Sequence, residues 1–307
     1  MSTINAGMVK DLRDKTGAGM MDCKGALAET NGDIEAAIDL LRKRGLAKAA
    51  KKGGRIAADG LIGVATMPGE GAVVEVNSET DFVARGDEFQ HFVHNIAKLA
   101  LSVDGNLDGL LKAPYPTAPT AQDALTAIIA KIGENMTIRR CAALSASPGV
   151  VASYIHNAVA PELGKIGVLV AIKSPANADR LLALGKQIAM HVAAASPIAL
   201  TSKDVPADVA ARERAIFAEQ ARESGKPEAL IEKMVEGRMR KFYEEQVLMN
   251  QTFVIDGETQ VAKVIEKAAK DFGAPVEITG FLRYQVGEGI DKPIVDLAAD
   301  VKATLGH

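Results

Sequence analysis

The chain has 307 residues, 48% of them hydrophobic, enough to bury a substantial core and to form about two domains with a small extra module. Its 36 basic and 39 acidic residues leave a formal net charge of −3, which argues against a surface built to wrap nucleic acid, though not against a local basic patch. Aromatic residues make up 4% and Trp is absent, so stacking platforms for single-stranded nucleic acid or sugars are hard to assemble.

The opening Met1-Ser2-Thr3-Ile4-Asn5 runs into a polar amphipathic stretch, with no basic segment followed by an apolar one. No later run is long enough to span a bilayer. A soluble, cytoplasmic chain with no membrane association is therefore expected. Cys23 and Cys141 lie far apart and form no Cys-x-x-Cys pair, so two ordinary thiols are expected, with neither a disulfide framework nor a metal site.

At the start of the chain, apolar spacing predicts three short helices. Met8, Val9 and Leu12 mark the first, which Gly17-Ala18-Gly19 ends. Met20, Cys23 and Leu27 mark the second, closed by Asn31-Gly32. Asp33 is placed to cap a third, in which Ile34, Ile38 and Leu41 recur until Gly45. So small a bundle buries a modest core, and its outer face suits docking better than catalysis. The basic run Lys48-Ala49-Ala50-Lys51-Lys52-Gly53-Gly54-Arg55 reads as a linker. A solvated charge run accounts for it; contact with acidic protein or RNA phosphate is the functional alternative.

Residues 61–66 and 72–76 are β-rich and joined by the turn Pro68-Gly69-Glu70-Gly71. The chain leaves the sheet through 78–85, and Asp87 is placed to cap a helix bearing Phe89, Val93, Ile96 and Ala100 on one face. Pro114, Pro116 and Pro119 exclude regular structure in the loop that follows. The next helix carries Leu125, Ile128, Ile129 and Ile132 and ends near Gly133, and 136–144 returns to strand. A similar order then recurs, which suggests an internal duplication: strands at 150–156 and 167–173 with a longer connection through Pro161, a helix bearing Leu181, Leu184, Ile188 and Val192, and a last strand at 276–286. An antiparallel helical hairpin interrupts this second block. Its charged first helix covers about 207–223, its second begins after Ser224-Gly225-Lys226-Pro227, and together they read as a projecting arm.

The chemistry-bearing motifs are mostly absent. Gly167-Val168-Leu169-Val170-Ala171-Ile172-Lys173-Ser174 has the first Gly and the Lys-Ser of a phosphate-binding loop, but Ile172 replaces the second Gly and the segment reads as buried strand. No nucleotide or other cofactor is expected. His91 and His94 lie about one helical turn apart without a third ligand, which favours a surface pair over a metal site. Ser153 and His156 lack the Gly-x-Ser-x-Gly setting of a hydrolase nucleophile, and no catalytic residue is assigned.

One segment departs from this bland reading. Asn77-Ser78-Glu79-Thr80-Asp81-Phe82-Val83-Ala84-Arg85 breaks off a good strand and puts Phe82 into a polar loop, where its default fate is to tuck back into its own core. The segment closely resembles the Thr-Asp-Phe-Val signature of bacterial elongation factor Ts. Thr16-Gly17-Ala18-Gly19-Met20-Met21-Asp22-Cys23-Lys24, Lys131-Ile132-Gly133-Glu134-Asn135 with Arg139-Arg140, Ile188-Ala189-Met190-His191, Met234-Val235-Glu236-Gly237-Arg238 and Thr279-Gly280-Phe281 with Val286-Gly287-Glu288-Gly289 resemble that family in the same order.

The resemblance implies an α+β fold: an N-terminal three-helix (UBA-like) module over 1–54, two related α+β core subdomains over 55–146 and 147–290, a helical-hairpin insertion at about 205–247 and a small C-terminal module or tail over 291–307. It implies a partner, elongation factor Tu, GDP-bound or nucleotide-free, and guanine-nucleotide exchange during translation elongation. Thr80, Asp81, Phe82 and Val83 would form the element that disturbs the partner's Mg2+ and phosphate site, with Asp81 and Phe82 as the wedge. Met20, Met21 and Lys24 would dock on the nucleotide-binding domain, and Ile132, Gly133 and His156 would support the contact. In some family members the helical hairpin supports self-association; the charge of residues 207–223 alone does not decide whether it does so in this one. No direct nucleic-acid contact is expected. The rival readings are an RNA-binding, ribosome-associated protein using residues 48–55 and an enzyme with dispersed catalytic residues.

Overall fold

The computed structural model describes residues 4–16, 18–223, 225 and 227–291. The expected C-terminal module, 291–307, lies outside them from 292 onward, as do the expected breaks at Gly17, Ser224 and Lys226. The N-terminal helices are α1 (Ala6–Thr16), α2 (Met20–Glu29) and α3 (Ile34–Lys52). Leu12, Cys23, Ala26, Leu27 and Ala37 close a small core between them. Asp33 caps α3 as expected, its carboxylate accepting from the Ala36 amide at 3.0 Å.

Gly45 does not end α3. The helix continues through Lys52, so the basic run from Lys48 is its last turns and not a linker, with Lys51 and Lys52 favourably placed against the negative end of the helix dipole. Gly45 is tolerated because α3 crosses α7 (Ala121–Ile132) there: a Cβ on it would already lie 3.4 Å from the Ala130 methyl. An Arg42–Asp123 ion pair at 3.1 Å spans the same crossing.

The sheet is antiparallel. Strands β1 (Asp59–Met67) and β2 (Glu70–Ser78) form a hairpin, and β3 (Met136–Ser145) pairs with β2. Further on, β4 (Gly149–Ala160) pairs with β5 (Leu163–Lys173), and β6 (Glu277–Gln285) pairs with β5. Each half thus sets its second strand between its first and third. The halves join where Ile62 and Gly63 of β1 meet Gly164 and Leu163 of β5. The long connection expected at 157–165 is a correction: the strands run on to a tight turn at Pro161-Glu162, which Glu162 takes at φ 63°.

Side-chain alternation places the core on both faces of this curled sheet. Leu61 and Ala65 of β1 face α7 and α5 (Asp87–Ser102), whereas Ile62 and Val64 face an inner layer with Leu169 and Ala171 of β5. On β5, Val168, Val170 and Ile172 face α8 (Ala178–Ala195) and α11 (Val261–Phe272). Between them α9 (Ala207–Arg222) and α10 (Glu228–Gln246) form the helical hairpin, closed by its own cluster of Ala221, Ile231, Val235 and Met239.

Smaller departures have local causes. Gly86, not Asp87, occupies the cap position of α5. A short helix, α6 (Leu107–Lys112), precedes the prolines, and Tyr115 and Ala118 form an isolated bridge among them. The Tyr115 ring lies 5.7 Å from that of Phe92 and its hydroxyl accepts from Asn95, which holds the loop to α5.

Candidate functional site

Strand β2 ends at Ser78, and the chain folds at once into α4 (Asp81–Arg85). The polar loop expected here is a single helical turn. Ala84 is buried and Val83 packs on the first-half core, so the turn's opposite side is forced outward. Phe82 occupies that side and is 81% exposed, the most exposed large apolar side chain among the described residues. It does not tuck back into its own core. The Asp81 carboxylate beside it pairs with Arg85 one turn on, at 2.8 Å.

The turn is anchored at its N-terminal end. The Thr80 amide and hydroxyl both donate to the Glu134 carboxylate, at 3.1 and 2.7 Å, and the Ser78 hydroxyl donates to the Thr80 carbonyl at 2.9 Å. In return Glu79 accepts from the Asn135 amide at 2.6 Å. Asn135 also donates its side-chain amide to the Arg55 carbonyl at 2.6 Å, so the chain descending from α3 is tied to the same cluster. Ile132 is half-buried at the end of α7, and Gly133 closes that helix in the left-handed region at φ 87°.

A family profile described as Elongation factor TS matches residues 79–288, about two thirds of the chain and beginning beside this turn. A protein of Rhodospirillum rubrum described as Elongation factor Ts is 60% identical over 307 residues, covering 99% of each chain. Proteins with the same description from Rhodospirillum centenum and Agrobacterium fabrum are 56% and 57% identical, covering 100% and 99% of each chain. This chain belongs to the elongation factor Ts family. It is a translation elongation factor.

Within the elongation factor Ts frame, the expected site residues fall into separate places. Thr80, Asp81, Phe82 and Val83 meet Ile132 and Gly133 through the Thr80–Glu134 contact. Met20 and Met21 open α2, 59% and 76% exposed, with Lys24 exposed one turn on. They border a groove of about 590 Å³ whose other wall is α1, with Val9 and Arg13. His156 stands apart on the edge strand β4, exposed, with its Nδ1 3.2 Å from the Tyr154 hydroxyl.

The histidine pair His91 and His94 is split between partners: His91 lies 2.7 Å from the Asp87 carbonyl and His94 3.5 Å from Glu162. Among the described residues no group of His, Cys, Asp or Glu is arranged to hold a metal ion. No helix there is long and apolar enough to cross a membrane. Burial pushes the Cys141 thiol up to about 11, so it stays protonated.

Two clusters escaped the sequence reading. Glu134 and Glu79 are separated from their partners by more than fifty residues, and no local spacing links them. Glu75 is fully buried within β2, where strand alternation alone gives no cue for a charge. Its carboxylate accepts from Arg139 at 2.9 Å, Arg140 at 2.5 Å, Asn77 at 3.0 Å and the Gly287 amide at 2.8 Å. Burial pushes its pKa up, but those hydrogen bonds from Asn77, Gly287, Arg140 and Arg139 together hold it below the ordinary carboxylate value. Arg140 also lies 4.1 Å over the Tyr284 ring. Gly287 sits at φ 71° where a Cβ would collide with the Ala58 carbonyl, so glycine is required at this joint.

Proposed function

We propose that this chain is the guanine-nucleotide exchange factor for elongation factor Tu and promotes GDP release by disturbing the partner's Mg2+ and phosphate site. The exposure of Phe82 carries this reading. A phenylalanine turned fully into water on a turn whose neighbours are buried and hydrogen-bonded is poised for a partner. GDP is held largely through phosphates and Mg2+, an ion that demands near-ideal octahedral geometry, so a small displacement of the surrounding loops weakens the nucleotide substantially.

Phe82 supplies apolar bulk for insertion between partner side chains, and Asp81, once released from Arg85, supplies charge that perturbs the polar network around the ion. Neither forms or breaks a covalent bond. Met20, Met21 and Lys24 dock the N-terminal module, 1–54, on the nucleotide-binding domain, while Ile132, Gly133 and His156 support the contact from the core units, 55–146 and 147–290. Linkage closes the cycle: whatever factor this chain removes from GDP affinity, GDP removes from its own. GTP and aminoacyl-tRNA then drive release, in the cytoplasm where elongation runs. The test is release of a fluorescent GDP followed by stopped flow with Phe82→Ala at saturating concentration. Slowed release is expected; undiminished stimulation would sink the wedge assignment.

A further inference from the structure

From the contacts around Thr80 we infer that Glu134 is a positioning residue for nucleotide release: its carboxylate holds the Asp81–Phe82 turn rigid, so that the force of docking moves the partner and not the turn. The inference rests on the wedge reading of Phe82.

A five-residue helix has no stability of its own, because too few hydrogen bonds form to offset its nucleation. Its orientation must come from outside. Val83 and Ala84 fix the buried side, and the Gln90 side chain donates to the Ala84 and Arg85 carbonyls at the C-terminal end, so the N-terminal end is the one that remains to be held. Thr80 occupies that N-terminus in an extended conformation, φ −124° and ψ 158°, and its side chain does not cap its own helix. A threonine there ordinarily turns its hydroxyl back onto the first turn. Here both donors, amide and hydroxyl, go to the two oxygens of Glu134, while Ser78 takes the carbonyl. Every polar group of the residue preceding Asp81 and Phe82 is thereby fixed, two of them by charge-assisted bonds. The reciprocal Glu79–Asn135 bond stops the 133–135 loop from following if the turn is pushed.

The second half of the core supplies an internal control. Its helix α11 also ends in a left-handed glycine, Gly273 at φ 66°, which leads into β6 as Gly133 leads into β3. There the following residues are Ala274 and Pro275, and no carboxylate is offered. That half leaves its middle strand through Ser174 and Pro175 straight toward α8, with no extra turn and no exposed aromatic. The carboxylate therefore occurs in the half that presents Phe82.

Positioning separates from docking in kinetics. A loose turn still allows the partner to bind through the N-terminal module, but part of the Phe82 binding energy goes into moving the turn. Stopped-flow release of fluorescent GDP from elongation factor Tu, titrated with the full chain, reads both quantities. For Glu134→Ala the maximal release rate should fall about tenfold, the scale of losing charge-assisted hydrogen bonds. The concentration for half-maximal effect should change by less than about threefold, and the thermal midpoint should stay close to wild type. Glu134→Gln, which keeps one acceptor for the Thr80 hydroxyl, should recover part of the rate. In a Phe82→Ala background Glu134→Ala should cause a clearly smaller loss, because only Asp81 is then left for the turn to position. A wild-type maximal rate for Glu134→Ala, or equal losses with and without Phe82, would overturn the inference. A wild-type rate for Phe82→Ala alone would instead remove the wedge reading, and this inference with it.

Discussion

The two halves of the core share one plan and depart from it in different places. Each sets its second strand between its first and third, covers the sheet with a long helix, and returns through a second helix closed by a left-handed glycine. The first half inserts one helical turn after its middle strand and exposes Phe82 on it. The second half leaves its middle strand tightly, with Ser174 accepting from the Ala176 amide, and places its insertion later, as the α9–α10 hairpin. Shared elements account for the core, and the halves differ in what they insert and where they insert it.

The joint between the halves gives the largest expected effect. Glu75 lies in the first half and holds Gly287, just past the last strand of the second. Glu75→Ala leaves Arg139 and Arg140 without their buried partner and should cost about 3 kcal/mol, read as a lower denaturation midpoint in urea. Because the folded carboxylate is held below its usual value, its contribution is fully present above the unfolded pKa, near about 4.3, and is lost as pH falls through the folded value. The acid fall in stability should accordingly be shallower in Glu75→Gln than in wild type.

Phe82→Ala comes next. It removes a ring that contributes little to the core, so the thermal midpoint should hold while stimulated release drops on the order of thirtyfold, about 2 kcal/mol. Ser174→Ala, in the tight exit of the second half, should leave release unchanged. If both substitutions slowed release equally, the distinction between the halves would fail.

Mild acid should divide them in another way. His191 of α8 is buried, accepts from the Val254 amide at Nδ1 and so donates from Nε2 to Gln251. Burial lowers its pKa, and the Gln251 bond offsets this only in part. The unfolded chain takes up the proton first, near its ordinary value of about 6.5, so stability is lost as pH falls below that, by at most about 1.4 kcal/mol per pH unit. Hydrogen exchange should show α8 and the 251–254 segment loosening there while α5 and α7 hold. The smallest effect is Arg85→Ala: an exposed pair one turn apart contributes about 0.3–0.5 kcal/mol, so stability should barely move.

Helices and strands were legible where apolar periodicity ran long enough, as in α5, α8 and β5. The missed features have physical causes. Gly45 looked like a terminator because its neighbour across the crossing, Ala130, is remote in sequence. The five residues of α4 are too few to show a period. Pro161 suggested a loop but sits in a turn that needs only itself and Glu162. At the candidate site, resemblance singled out Asp81 and Phe82, while the outward direction of Phe82 followed from the burial of Val83 and Ala84. The Glu134 and Glu75 carboxylates escaped because their partners arrive through the fold.

The most direct measurement is the rate at which GDP leaves elongation factor Tu with and without this chain. Saturating wild-type chain should accelerate release strongly, and Phe82→Ala should reduce that acceleration without unfolding the protein. A release rate unchanged by saturating wild-type chain would contradict the exchange reading.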